Sequence, residues 1–412
     1  MHLFRLTGLA FRRADATWSV VLARFRFFAL GSVLAVSILA CNALLGTAPA
    51  ERQSADPSDP TDEPVDSSVA PEDAGPGDND DPDANGSTVD AGRSCEPSPS
   101  DCLDPTRTDV IEVPTERTMS EAFNEAKPGQ IIQFRKGSTG VSGGGYMKIP
   151  PFVTFRGCEG AQLRADSSIV FAGSAGVVEG FDIYGSIWAN QTGSYVVRGV
   201  RCLAPSPDAG RRPEPCIEAR AADALVGASV ELTVERSFFS GRSEGIVAGT
   251  SYDTKTREVK LTAVNNVFRD VERPIVVSEA GAVGKITASI SFNTFIGFDL
   301  GISLYSLSNM PTFRGNLFAG GKRAFYSDSP YVIEYSSTFG VAEPPSSPPV
   351  SGTLLELDPK LDDSALPSPS SLVVDAITTP AANDPTLDHR GCTRPHAGRT
   401  KSAAIDIGAL ER

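Results

Sequence analysis

Four stretches of the chain align without a gap: LTVERSFFSGRSEGIVA (232–248), LTAVNNVFRDVERPIVV (261–277), ASISFNTFIGFDLGISL (288–304) and PTFRGNLFAGGKRAFYS (311–327). Phe239, Phe268, Phe295 and Phe318 fall in one column. Five residues before each stands Val234, Ala263, Ile290 or Phe313, and seven after each stands Ile246, Ile275, Ile302 or Phe325. Asn266, Asn293 and Asn316 share a second column, two residues before the Phe. A weaker form lies upstream in FRGC (155–158), VEGF (178–181) and VRGV (197–200). Each unit alternates apolar residues, turns, and enters another short strand. A unit that small has no core of its own, so its apolar face is covered only when neighbours stack. The pattern predicts an all-β, right-handed parallel β-helix with rungs ~4.8 Å apart. The Phe column should stack inside it, and the Asn column should hydrogen-bond along a corner.

Working toward the N-terminus, MSEAFNEAKPGQIIQF (119–134) places Met119, Ala122, Phe123 and Ala126 on one helical face. Pro128-Gly129 stops that helix and a strand follows. Over roughly 110–345 the chain resembles the pectin-lyase-like right-handed β-helix family. The resemblance implies that this short helix caps the open end of the cylinder, shielding it from edge association. Beyond Phe339 the repeat fails, and LELDPKLDD (355–363), SLVVDA (371–376), DHRGCTRP (388–395) and IDIGALE (405–411) follow. This series is similar to the tail of bacterial β-helix proteins of the choice-of-anchor Q type, with Ile377 and Cys392 as departures. The reading is a C-terminal capping region over 346–412, its Asp and Arg side chains paired with each other and with backbone amides.

The first residues read as an address. Five Arg precede an uncharged apolar run, Phe27 to Ala40, too short to span a membrane and suited to a signal sequence. It ends Ile38-Leu39-Ala40-Cys41, which resembles a bacterial lipobox. The resemblance implies a signal over 1–40, lipidation of Cys41, and, with Asn42 next, an outer-membrane location. Ordinary cleavage at Ala48-Pro49-Ala50, giving a secreted chain, is the alternative. Residues 51–90 hold 13 acids, one base and six prolines without an aromatic residue. Residues 41–110 therefore read as an extended acidic tether, with 111–345 the β-helix.

Six further cysteines suit an oxidising compartment. Cys95 and Cys102 flank a Pro/Ser turn and are expected to pair. Cys202 and Cys216 bracket a loop and are expected to staple it, leaving Cys158 for Cys392.

Composition narrows the chemistry. The chain carries a formal charge of −14, and the part beyond the tether is mildly acidic, which disfavours nucleic acid. With three His in the whole chain, metal centres and His-based triads have little to draw on. Gly140-Val141-Ser142-Gly143-Gly144 matches G-x-S-x-G but lacks a strand-to-helix context. The acid pairs of polygalacturonases and the basic elements of pectate lyases are absent. What remains is a charged ridge after the Phe column: Glu244, Glu272, Arg273, Asp299, Lys322 and Arg323, with Tyr305 and Tyr326 beyond. A solvated ladder of ion pairs is the plain reading of this ridge, and a polar groove for a glycan is the other. The expectation is a monomeric, lipid-anchored envelope protein, glycan-binding or structural, with no metal or cofactor. The alternatives are a protein adhesin using the loop at 203–228 and a polysaccharide lyase, hydrolase or epimerase. Only the lyase would call for Ca²⁺.

Overall fold

The structure is a computed structural model that describes residues 95–113, 119–140, 146–164, 168–204, 215–220, 228–250, 257–279, 284–352, 354–394 and 404–411. The predicted signal, Cys41, residues 42–94 of the predicted tether, most of the 203–228 loop and residues 141–145 of the Gly-rich motif lie outside them, whereas residues 95–110, expected to be tether, are fixed to the β-helix by two disulfides and by hydrogen bonds. The rest forms a right-handed parallel β-helix of three sheets. Sheet I has ten strands, from Val110–Val113 to Val332–Glu334. Sheet II has ten short strands, from Thr139–Gly140 to Leu355–Glu356. Sheet III has eight, from Tyr146–Ile149 to Arg323–Ser327. Each rung visits I, II and III in that order, as in Ala228–Glu235, Phe238–Ser240 and Glu244–Gly249.

The registers match the sequence columns. Phe239 pairs with Phe268, Phe268 with Phe295, and Phe295 with Phe318. Their ring centroids are 4.5, 5.0 and 4.6 Å apart and nearly parallel. The Val234 and Ile246 columns run beside them in sheets I and III. In the rung after Phe318 the inward place belongs to Thr338, while Phe339 lies one residue further on and is 41% exposed. Sheet II then takes one more strand, Leu355–Glu356, beyond position 345.

The corner between sheets I and II is two residues long, and its first residue is left-handed in rung after rung: Gly180, Gly199, Arg236, Asn265, Phe292, Gly315 and Tyr335. Its second residue builds the ladder. Asn266 donates its backbone N–H and its amide to Asn293 Oδ1, both at 3.0 Å, and Asn293 does the same with Asn316 Oδ1. Ser237 and Ser336 end the series, one donating its N–H to Asn266 Oδ1 and the other accepting from Asn316. The amides of Asn266, Asn293 and Asn316 are thereby satisfied inside the wall. At the start of the cylinder, helix α1 (Met119–Glu125) lays Met119, Ala122 and Phe123, with Ala126 just after it, on the core; the Phe123 ring is 5.5 Å from Phe155.

Two of the expected cysteine pairs are overturned. Cys95 bonds Cys392 and Cys102 bonds Cys158, while Cys202–Cys216 stands as expected. The reason is the path of the chain around the first corner. Residues 96–103 run along the outside of the cylinder. Glu96 meets Arg236, and Leu103 exchanges two hydrogen bonds with Gln133, four rung steps away. The turn Ser98–Asp101 therefore separates two cysteines that face different partners. Where the segment passes Gly180 and Gly199 there is no side chain, and a Cβ there would stand 2.7 Å from Pro99.

The tail continues the same track in the other half. Val373, Ile377, Ile405 and Ile407 bury Phe292 and Leu317 from outside. Arg314 grips Asp384 through Nε and Nη2, and Asn265 donates to Leu387 O. The motif residues are paired as their chemistry suggests. Arg394, with no exposed side-chain surface, bonds Glu411 at 3.0 Å and Gly408 O at 2.8 Å. Asp388 accepts the N–H groups of Arg390, Cys392 and Glu411. Residues 384–394 and 404–411 thus lie on the flank of the cylinder, on rungs well inside its length. Together with 95–103 they form a strap, joined by Cys95–Cys392 and the backbone bond from Glu96 N to Gly391 O.

Candidate functional site

The ridge begins at the corner between sheets II and III. After each column Phe comes a left-handed residue: Gly241, Asp270, Gly297 or Gly320, with Gly340 in the next rung. The following position turns inward. Val271 and Phe298 fill it, and Phe298 meets Phe295 and Phe318 edge-on. Arg242 also takes this place, donating to Leu203 O and Gly185 O, so it is buried and not part of the ridge. Gly321 leaves room for the Phe298 ring, since a Cβ there would come within 2.4 Å of it.

The next two positions carry the predicted charges, and the structure divides them. Glu244, Arg273 and Arg323 occupy the column nearer sheet III and are spent in ion pairs. Arg273 Nη2 lies 2.6 Å from Glu244 Oε1, and Arg323 pairs with Glu343. Glu272, Asp299 and Lys322 occupy the other column and converge on a shallow depression floored by Gly297, Gly320, Gly321 and Gly340, with Asp270 at its side. Lys322 reaches Glu343 at 3.9 Å. Asp299 lies between Glu272 and Lys322 in register, yet neither its carboxylate nor that of Glu272 makes an ion pair among the described residues. Their backbones are tied down: Asp299 N and Leu300 N both donate to Glu272 O. The result is two free carboxylates and one ammonium on a rigid base, suited to hydroxyl or amine partners. It is an open surface with no enclosed reaction volume. Among the described residues no group of His, Cys, Asp or Glu is arranged to hold a metal ion.

Tyr305 and Tyr326 are a tilted pair with centroids 5.4 Å apart, both partly exposed. Tyr305 lies five residues along the strand from Leu300, or about 16 Å from the depression in extended chain. Glu343 was hidden from the sequence pattern by the one-residue slip at Thr338; counted from Thr338 it takes the same spacer position as Arg323. No family model, no curated protein and no solved structure matches this chain.

Proposed function

We propose that this chain is a lipid-anchored envelope protein whose β-helix binds glycan at the cell surface. The free carboxylates of Glu272 and Asp299 beside Lys322, over a glycine floor, carry the binding half of this reading. Hydroxyl-rich ligands are held by such mixed charged groups, with aromatic rings supplying apolar faces. A linear oligosaccharide lying across the outer face of sheet III would reach from the depression to the Tyr305–Tyr326 pair. Three disulfides among the described cysteines support export to an oxidising compartment. The lipobox-like end at Cys41 supports the anchor, and Asn42 the outer membrane.

The test is a glycan array, repeated with Asp299→Ala and Glu272→Ala, alongside a product assay at 235 nm. Binding is expected to fall at least tenfold in both variants at unchanged melting temperature, because neither carboxylate holds an ion-pair partner among the described residues and exposed charges contribute ~1 kcal/mol or less to stability. Equal binding by the variants removes the ridge as the site. Growth of the unsaturated-product band would make the protein a lyase. For the anchor, Cys41→Ser should move the protein from the detergent phase to the aqueous phase and abolish palmitate labelling.

A further inference from the structure

Ten outward positions of sheet I stack beside its corner with sheet II. Eight of them carry a charged or amide side chain, beginning with Glu112 and ending with Glu334. The two exceptions are consecutive: Val264 and Ser291. The strap lies tight on the corner at Pro99 and is clamped again where Arg314 holds Asp384. Between these points it spans short side chains, and a cavity of about 380 Å³ opens beneath it. That volume is in the range of small-molecule sites.

The lining has a definite chemistry. Arg198 and Arg236 contribute two guanidinium groups, and Glu96 and Glu235 two carboxylates, so the charges cancel. Thr262 and Ser289 add hydroxyls from the next outward column, while Val264 and Leu387 are apolar. Arg236 is 7% exposed and bonds Glu96 through Nη1; its remaining N–H groups have no acceptor among the described residues. An anion would meet as many carboxylates as guanidinium groups. Arg198 is paired with Glu179 and Arg236 with Glu96, but an apolar ligand would still leave the Glu235 carboxylate, the spare guanidinium N–H groups and two hydroxyls without water. A neutral polyhydroxyl compound gives donors to the carboxylates, acceptors to the guanidinium groups, and C–H faces to Val264 and Leu387.

We infer that this cleft is a second ligand site, taking a neutral mono- or disaccharide, separate from the ridge between sheets II and III. Its roof is the strap, and the strap is closed by Cys95–Cys392. Ligand binding and strap closure are therefore linked: whatever fills the cleft stabilises the closed strap in proportion to its occupancy.

The experiment titrates the oxidised protein by calorimetry with glucose, galactose, mannose and their common disaccharides. At least one is expected to saturate the wild type at one site. Ser289→Trp, at an exposed outward position, should fill the cleft and weaken that binding at least tenfold, whereas Asp299→Ala on the ridge should leave it unchanged. Should Ser289→Trp lower the melting temperature, Thr262→Val, which removes one hydroxyl, supplies the same comparison. A saturating sugar should also slow the appearance of free thiols at Cys95 and Cys392 under dithiothreitol. Absence of binding by every sugar overturns the inference, as does binding that survives both cleft variants. Loss of binding in Asp299→Ala alone assigns the sugar to the ridge.

Discussion

Among single residues, Tyr195 and Tyr331 show how the interior constrains a titrating group. Both are fully buried, and each hydroxyl donates to a backbone carbonyl, Gly173 O and Ser347 O respectively. Burial pushes both phenols up to about 12. A folded pKa above the unfolded value near 10 means the folded state keeps a proton that the unfolded state gives up. The stabilisation is therefore complete below pH 10 and is lost as pH rises toward 12. In a titration at 295 nm, two of the eight tyrosines should ionise only with the unfolding transition. Seven or more ionisations before unfolding would contradict this. Converting both to Phe should flatten the alkaline limb of the stability profile. Neither residue stood out in the sequence, because a buried tyrosine at a column position looks the same as an exposed one until the rung above it is known. The ridge was more legible. Equal spacer lengths placed Glu272, Asp299 and Lys322 in one column, but which charges pair and which stay free depended on Glu343, outside the aligned repeats.

Among elements, the Phe column and the strap are opposite cases. The column could be read because a parallel β-helix repeats one residue type at one inward place, and the rings stack at each step. Phe268 has a Phe on both sides, so Phe268→Ala should cost ~3–5 kcal/mol in denaturant unfolding, from the lost burial and the cavity left behind. A change under 1 kcal/mol would mean that the rungs collapse onto the gap. The strap could not be read, because its partners are the left-handed corner residues, chemically unlike one another: Gly180, Gly199, Arg236, Asn265 and Phe292. Each accepts the strap in a different way, through an absent side chain, an ion pair, an amide or a ring. The same irregularity defeated the cysteine pairing. Nearness in sequence favoured Cys95 with Cys102, but a segment laid along the cylinder axis separates neighbours and joins residues 297 apart. What sequence did supply for the tail was its chemistry: Asp388, Arg394, Asp406 and Glu411 are buried and bonded to one another and to nearby backbone.

At the scale of the whole molecule, Cys95–Cys392 changes how the protein bears load. A chain held by its N-terminus and pulled from its C-terminus transmits tension only along the shortest covalent path. That path crosses from residue 95 to residue 392 through the disulfide, so every rung of the β-helix hangs outside it as a slack covalent ring. Force spectroscopy on the oxidised protein should show extension of the two end segments alone. After reduction, about 297 residues join the path and add up to roughly 100 nm of contour length at ~3.5 Å each. A full-length extension without reductant would mean that the bridge is absent in solution. On the proposed surface tether, the fold would then be a passenger on the line of force: drag would stretch the leash without unwinding the cylinder.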